Sequence, residues 1–346
     1  MSCVHGRAAL GGALLGAALV AGSMAAPALG PEKPMRMDPD PAFLAPGETR
    51  SFQISYTGRV KDIPEGTKTL RVWMPVPQDT PLQTIKGLEF FGEPRPRMTT
   101  EKVHGNLLAY YEVANPGREA EFSYSFTCSR KELITDFAKI GEEAEEKDPA
   151  AAFFLKDNQL TIVDDRIRKM AAEVVAGKRT TVEKARAIYE HVFEKMAYDK
   201  SGTGWGRGDT NFACDVGKGN CTDFHALFTS LCRAEGIASG FEIGLYPPYK
   251  RNSEEKLGGY HCWAWFRVPG RTWVPVDISE ADRFPERKEY FFGSHTSNRV
   301  TLSVGRDLVL EPAQAGEPLN YLLNPHAEAD GRKVATDKSW TLKDLD

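Results

Sequence analysis

Three side chains in this sequence have the types and the order that a thiol-dependent acyl-transfer site needs. Cys221 comes first, His261 lies forty residues further on, and Asp277 follows sixteen residues after that. A thiolate can attack a carbonyl carbon, an imidazole can move the proton, and a carboxylate can hold the imidazole in the required tautomer. The sequence therefore predicts Cys221 as nucleophile, His261 as base and Asp277 as the orienting residue.

Cys221 lies where a glycine-rich loop is predicted to become a helix. The loop at 201–220 contains six glycines, and the apolar residues after Cys221 recur with helical spacing. The first N–H groups of a helix lack intrahelical acceptors, and their partial positive charge stabilises a thiolate and can hold an oxyanion. A buried structural cysteine is the alternative and is the commoner fate of this residue. Helical context alone leaves both roles open.

His261 and Asp277 are predicted to lie on paired strands. A mostly apolar segment surrounds His261, and another precedes Asp277. A three-residue hairpin loop at 268–270 would pair Arg267 with Arg271 and place His261 directly opposite Asp277. A register shifted by two residues would leave them diagonal neighbours on one face, whereas a shift of one would separate them. The alternative for His261 is a core histidine whose ring nitrogens are hydrogen-bonded and which has no catalytic role. A buried charge pair of His261 and Asp277 without a function would, however, be costly.

Other polar residues compete for roles around the predicted site. His225 lies one helical turn after Cys221 and is the rival base, although His261 ranks higher because Asp277 is its partner. Trp205 and Asn220 are candidate substrate or oxyanion residues, the alternative for Trp205 being a loop side chain packed on the core. Asp223 either polarises the site or is an ordinary charge at a helix N-terminus.

The sequence predicts no metal and no cofactor. Cys214, Cys221 and His225 have a spacing that zinc accepts, but the chain has no CxxC or HExxH motif and nothing like a calcium-binding loop. Cys214 is only seven residues from Cys221, so a disulfide that masks the nucleophile is a separate hypothesis.

The elements that would position these residues change character along the chain. Period-two alternation of apolar residues at 48–135 predicts a small antiparallel β-sandwich domain. Helical periodicity starts near Asp164, and the residues at 180–183 form a capping box that opens a second helix. Residues 136–312 are therefore predicted to be an α+β catalytic domain, and residues 313–346 a C-terminal extension.

The first residues predict export. Residues 1–28 contain one arginine, an apolar run too short to favour a spanning helix, and a small-residue cleavage region, which together are typical of a signal peptide. Cleavage after Ala25 and cleavage after Ala28 both fit, and an uncleaved anchor is the alternative. Residues 29–47 are interpreted as a linker. We expect a periplasmic or extracellular protein without stable membrane insertion.

The composition is that of a folded globular protein. With 27% charged residues and a net charge of −4 in 346 residues, it does not favour a nucleic-acid-binding protein. The five cysteines outside the signal segment are too few for a disulfide scaffold, and their odd number leaves at least one thiol unpaired within the chain. The composition gives no preference for an oligomeric state.

The region at 219–237 resembles the core motif of bacterial transglutaminase-like proteins. The segments 259–263 and 273–277 are similar to the His and Asp blocks of that family, and the similarity covers about 164–280. Residues 298–300 resemble part of a tail that often accompanies this core. The resemblance implies a papain-like α+β fold preceded by a β-domain, and it assigns the three catalytic roles to Cys221, His261 and Asp277.

The resemblance also implies an enzyme that forms a thioester at Cys221 from a peptide bond or a glutamine carboxamide. Water as acceptor would make it a protease or amidase, and an amine would make it a crosslinking acyltransferase. Hydrolysis is favoured, since nothing in the sequence indicates an amine-donor site. The alternative is a non-catalytic binding or envelope-assembly module that retains the fold. The expected partner of the enzyme is a protein or peptide substrate.

Overall fold

The computed structural model describes residues 31–346, so the predicted signal peptide at 1–28 lies outside the described residues. Residues 31–346 form one compact unit. The described part of the predicted linker, 31–47, packs on this unit and contains a short 3₁₀ helix, Pro41–Phe43. Met37 is buried in a cluster with three tryptophans, and the Asp40 N–H donates to Thr272 Oγ1 at 2.9 Å. These contacts hold the segment against the folded chain.

The first strands form most of a β-sandwich. They are β1 (Thr49–Val60), β2 (Thr69–Val76), β3 (Gln83–Phe91), β4 (Arg97–Thr100), β5 (Leu107–Ala114) and β6 (Ala120–Lys131). Buried residues alternate with more exposed ones along β1 and β6, because successive side chains of a strand point to opposite faces. Phe52, Ile54 and Tyr56 contribute to the core between the sheets. The predicted β-sandwich is confirmed.

Helices and short strands alternate in the next part of the chain. They are β7 (Leu133–Ile134), α1 (Phe137–Ile140), α2 (Pro149–Phe153), α3 (Asp165–Val174), α4 (Thr181–Lys195), β8 (Ala197–Tyr198), α5 (Thr210–Val216), β9 (Lys218–Gly219) and α6 (Cys221–Ala234). The elements that follow are β10 (Ser239–Leu245), β11 (Glu254–Leu257), β12 (Tyr260–Arg267), β13 (Trp273–Val276), α7 (Ile278–Arg283), a 3₁₀ helix at Pro285–Arg287, β14 (Ser294–His295) and β15 (Val300–Val304). Helix α6 packs against a sheet of order β13-β12-β10-β15, which gives the predicted α+β core.

The last strands belong to the sandwich. They are β16 (His326–Ala329), β17 (Arg332–Lys333) and β18 (Thr336–Asp344), and the two sandwich sheets have the orders β11-β18-β1-β6-β3 and β17-β16-β2-β5-β4. Strand β18 pairs with β1 from Phe52↔Asp344 to Val60↔Thr336. The part of the chain that the sequence analysis interprets as an extension thus supplies strands to both sheets. The alternation of buried and exposed residues around Trp340 and Leu342 is short, and the partner strand β1 lies near the other end of the described chain. The sequence therefore gives little sign of this pairing.

Local signals set the helices around the site. The predicted capping box at the start of α4 is present, with Thr180 and Glu183 each satisfying a backbone N–H of the other. Gly236 follows α6 with a positive φ of 72°, a conformation that glycine adopts without steric cost. Helix α5 was not expected inside the glycine-rich loop. Asp209 caps it by accepting from the Asn211 N–H at 3.0 Å, which is how a short helix starts among glycines.

Candidate active site

Helix α6 fixes the position of the candidate nucleophile. Asn220 is its N-cap, and its side-chain oxygen accepts from the Thr222 N–H at 2.9 Å. Asp223 completes the capping box by accepting from the Asn220 N–H at 3.0 Å. Cys221 is the first residue of the helix, where the backbone N–H has no intrahelical acceptor. The residue is only 1% exposed, so a substrate must reach the thiol through a narrow approach.

His261 and Asp277 meet, but not in the register that the three-residue loop predicts. Strand β12 pairs with β13 so that Arg267 lies opposite Trp273 instead of Arg271. The predicted loop is wrong because a hydrogen bond from Val268 N–H to Thr272 O closes a turn that is two residues longer. The shift of two keeps both side chains on one face as diagonal neighbours, with His261 Nε2 at 2.6 Å from Asp277 Oδ2.

Asp277 ends strand β13 and starts helix α7. Its Oδ1 accepts from the Glu280 N–H at 3.0 Å and from the Ser279 hydroxyl at 3.1 Å, so the carboxylate is also the N-cap of the helix. Its Oδ2 faces His261 Nε2 at 2.6 Å. Since Nε2 of the imidazole is bound to this carboxylate, Nδ1 is the ring nitrogen available to Cys221.

The electrostatics favour a charged thiol–imidazole pair. Burial would raise the pKa of Cys221, but hydrogen bonds from Cys262 and His261 and the positive charge of His261 lower it to about 6. Burial would lower the pKa of His261, yet the charge of Asp277 and the hydrogen bonds with Asp277 and Cys221 raise it to about 10. Burial would also raise the pKa of Asp277, but the charges of His261 and Arg299 hold it well below its ordinary value. Near neutral pH the group can therefore hold a thiolate beside an imidazolium.

The rival base His225 is engaged elsewhere. Its Nε2 accepts from the Ile278 N–H at 3.2 Å, and its Nδ1 lies 3.5 Å from Cys262 Sγ. Complete burial lowers the pKa of His225 to about 3, despite the nearby charge of Asp277. Its contacts suit a neutral imidazole that braces α6 against the start of α7, and the structure supports the preference for His261 as the base.

Arg299 is a member of the site that sequence reasoning did not assign. Its Nη2 lies 2.6 Å from Asp277 Oδ2, and neither side chain has any exposed surface. The guanidinium carbon also lies 5.1 Å from the Trp263 ring centroid and 5.7 Å from that of Tyr246. Resemblance to a family tail was the one signal at this position, because its separation from Asp277 along the chain predicts no contact.

The glycine-rich loop is tied to the start of α6 by Asp223. This carboxylate accepts from the Gly206 N–H at 2.7 Å and from the Gly208 N–H at 3.0 Å, in addition to its bond with Asn220. The Asp223 carboxylate therefore anchors the loop as well as capping the helix. Its burial raises its pKa, while these backbone hydrogen bonds lower it.

The two candidate oxyanion residues lie at the start of α6 and in the glycine-rich loop. Asn220 Nδ2 donates to the Tyr260 hydroxyl at 2.9 Å. Trp205 precedes Gly206 in the glycine-rich loop, is partly buried, and donates from Nε1 to Gly202 O at 3.3 Å. The structure thus places Asn220 next to Cys221 in the chain and Trp205 on the loop that Asp223 holds.

A cleft of about 480 Å³ opens beside His261. Its lining comes from Tyr198, Lys200, Tyr246, Tyr260 and the end of helix α7. Rings on this lining pack closely, with the Tyr246 and His261 ring centroids 4.9 Å apart. The cleft gives a substrate access to the imidazole side of the triad.

None of the described cysteines is paired in a disulfide. All five cysteines between residues 31 and 346 are free thiols, and Cys214 lies on α5 and packs with the helical core. Within the described residues, no group of three His, Cys, Asp or Glu side chains is arranged to hold a metal ion. The structure therefore places Cys214 apart from the cluster that contains Cys221 and Cys262.

Comparisons with known proteins agree with this fold. Residues 168–278 match the family model of the transglutaminase-like superfamily, so the chain contains a transglutaminase-like domain, and the predicted resemblance is confirmed. A solved structure from Cytophaga hutchinsonii, described as "a Putative Cysteine Protease", is 15% identical with a TM-score of 0.58, covering 86% of this chain and 92% of that one. It shares the fold of this chain.

Two further similarities are more distant or lack a described function. An uncharacterized protein of Haemophilus influenzae is 25% identical over 308 residues, which cover 78% of this chain and 83% of that protein. The periplasmic domain of TgpA from Pseudomonas aeruginosa is 15% identical with a TM-score of 0.38, covering 69% of this chain and 90% of that domain. In the part of the chain that the structure describes, no helix is long and apolar enough to cross a membrane.

Proposed function

We propose that this protein is a cysteine-dependent acyl-transfer enzyme that acts on peptide bonds or glutamine carboxamides, with Cys221, His261 and Asp277 as its catalytic residues. The observation that carries the proposal is the buried 2.6 Å contact between His261 Nε2 and Asp277 Oδ2 beside a thiol at a helix start. Such a contact leaves the other imidazole nitrogen to exchange a proton with the thiol.

In the proposed reaction the Cys221 thiolate attacks the carbonyl carbon and a C–S bond forms. The carbonyl oxygen becomes an oxyanion, and the His261 imidazolium then gives its proton to the leaving nitrogen as the C–N bond breaks. The result is a thioester on Cys221 and a neutral imidazole. His261 next takes a proton from a water molecule as the water oxygen bonds to the thioester carbonyl carbon. The C–S bond then breaks, which releases the acid product and restores the Cys221 thiolate.

The free backbone N–H of Cys221 is the first proposed donor to the oxyanion, since it lies at the positive end of α6. Asn220 and Trp205 are proposed as supporting groups. Asn220 would act through the Tyr260 hydroxyl, to which its amide now donates. Trp205 would cover the substrate from the glycine-rich loop.

We favour water as the acceptor, which makes the enzyme a protease or amidase. The cleft beside His261 carries both charge signs, from Lys200 and Arg283 on one hand and Glu280 and Asp282 on the other, and so gives no dedicated amine-donor site. Trapping the thioester with hydroxylamine, followed by mass spectrometry of the released acyl hydroxamate, would identify the acyl donor. A binding module without catalysis would release no hydroxamate.

Alkylation of the thiols tests the activated nucleophile without any substrate. At pH 7 we expect iodoacetamide to label Cys221 about 100-fold faster than Cys128, since a larger thiolate fraction outweighs a lower intrinsic nucleophilicity. Burial raises the pKa of Cys128 to about 12, whereas that of Cys221 is lowered to about 6. Both residues are almost fully buried, so accessibility is matched. Labelling is followed by peptide mass spectrometry.

The labelling rate of Cys221 should rise through pH 6 and remain high at pH 7, and His261→Ala should move this rise toward the ordinary cysteine range. Equal labelling of Cys221 and Cys128 would reject the activated thiolate.

We also propose export, on the basis of the signal pattern at 1–28. The mature chain is expected to begin at Ala26 or Leu29 and to be recovered from the periplasm or medium. Intact mass measurement of the protein from each cell fraction checks this. A cytoplasmic protein that retains residues 1–28 would contradict it.

A further inference from the structure

A buried cation lies against the carboxylate of Asp277. Arg299 Nη2 and His261 Nε2 both lie 2.6 Å from the same oxygen, Asp277 Oδ2. The other oxygen, Oδ1, is held by the Glu280 N–H and the Ser279 hydroxyl. Of these four partners, only the guanidinium carries a positive charge at every pH at which proteins stay folded.

Arg299 is poorly explained as a purely structural residue. None of its three guanidinium nitrogens makes a hydrogen bond within the described residues, although the side chain is fully buried and Nη2 forms a close ion pair with Asp277 Oδ2. Leaving buried donors unpaired costs folding free energy. Its compensation comes from the Asp277 carboxylate and from the faces of Trp263 and Tyr246. A positive charge at this place therefore serves the carboxylate more than it serves packing.

The groups that face Arg299 from α7 and from the loop after β10 are two carboxylates and two phenols. Glu280 accepts hydrogen bonds from the hydroxyls of Tyr246 and Tyr249, the latter at 3.2 Å. Burial raises the pKa of both tyrosines, so they stay neutral. Asp277 and Glu280 are thus the anions near the guanidinium.

The other elements packed on Arg299 contribute His225, His295, Tyr290 and Arg130. Burial lowers the pKa of His225 to about 3 and that of His295 well below its usual range, so both are neutral near pH 6. Burial raises the pKa of Tyr290 and lowers that of Arg130 to about 10, so neither changes charge near pH 6. The reactivity of Cys221 near pH 6 therefore reports proton uptake by the catalytic cluster itself.

We propose that Arg299 is a positioning residue whose permanent charge keeps Asp277 ionised and so sets the lower pH limit at which Cys221 and His261 form their charged pair. This role rests on the proposed function of the triad. Without the cation, the cluster of one thiolate, one imidazolium and one carboxylate has a net negative charge and takes up a proton more readily. The rate of Cys221 alkylation rises where the thiol loses its proton, and this rise is called the step. Without the cation, the step should move to higher pH.

The test is the rate of Cys221 alkylation by iodoacetamide from pH 4.5 to pH 9 in the full chain. Arg299→Gln and Arg299→Met remove the charge, and each should raise the midpoint of the step by about 1 pH unit. Arg299→Lys keeps the charge and should leave the midpoint close to wild type. The matched control is Arg50→Met, because Arg50 is equally buried and ion-paired with Asp344 at 2.8 Å in the sandwich. It should not move the step.

The outcomes separate this inference from the proposed function. Neutral variants that keep the wild-type midpoint would overturn the role of Arg299 and leave the triad untouched. A wild-type Cys221 without any step near pH 6 would instead reject the proposed function. If neither neutral variant folds, the lysine variant decides. A midpoint at the wild-type pH supports the charge requirement, and a displaced midpoint overturns it.

Discussion

Replacing Cys221 by alanine is expected to lower turnover by about 1000-fold or more while the protein stays folded. The thiolate supplies the bond to the acyl group, and no other described thiol can take its place. Cys262 is the nearest candidate, but its complete burial, which persists in the variant, raises the pKa of its thiol above the ordinary value. Turnover is measured as ammonia release from a blocked glutaminyl-glycine dipeptide and as peptide release from casein. Each assay is repeated with hydroxylamine as the acceptor, and the acyl hydroxamate is then measured.

A matched control lies on the same helix. Cys232 is also a fully buried free thiol on α6, three helical turns further on, and it packs in the helical core cluster. Cys232→Ala should keep turnover near wild type and lose a modest amount of stability from the small cavity. Turnover that survives Cys221→Ala, with a circular dichroism spectrum like wild type, would move the site elsewhere in the molecule.

Asp277→Asn is expected to lower both turnover and stability strongly. The asparagine cannot neutralise Arg299, and an uncompensated buried charge typically costs about 3–5 kcal/mol of folding free energy. It also leaves His261 without the partner that raises its pKa, so turnover should fall at least about 100-fold. Urea unfolding followed by circular dichroism gives the stability, and the assays above give the turnover.

The control for this prediction is the second buried arginine–aspartate pair. Asp344→Asn removes the counter-ion of Arg50, which still donates to the Pro248 and Lys250 carbonyls, and should lower the free energy of unfolding without a comparable loss of turnover in the folded fraction. Combining Asp277→Asn with Arg299→Met should recover about 1–4 kcal/mol of stability, because the unpaired charge is gone, but no turnover. A double variant as unstable as the single one would show that charge compensation is not the cause.

The sequence by itself determined the parts of this site that depend on local chemistry. Helix α6 begins at Cys221 because of residues close to it in the sequence: the glycine-rich loop before it, the N-cap Asn220 and the capping-box residue Asp223. Such short-range signals decide where a helix begins. The order of thiol, imidazole and carboxylate was also readable, as was the alternation that predicts the sandwich strands. These features need no knowledge of distant partners.

Tertiary structure alone decided the rest. The register that joins His261 to Asp277 depends on the hydrogen bonds that close the 268–272 turn, and sequence reasoning could only allow it as one of two arrangements. The burial that makes His225 neutral and the contact of Arg299 with Asp277 arise from elements packed together from separate parts of the chain. The pairing of β18 with β1 joins residues from both ends of the described chain. Charge, desolvation and strand pairing act through space, so the chemical state of the triad is set by neighbours that the linear order does not reveal.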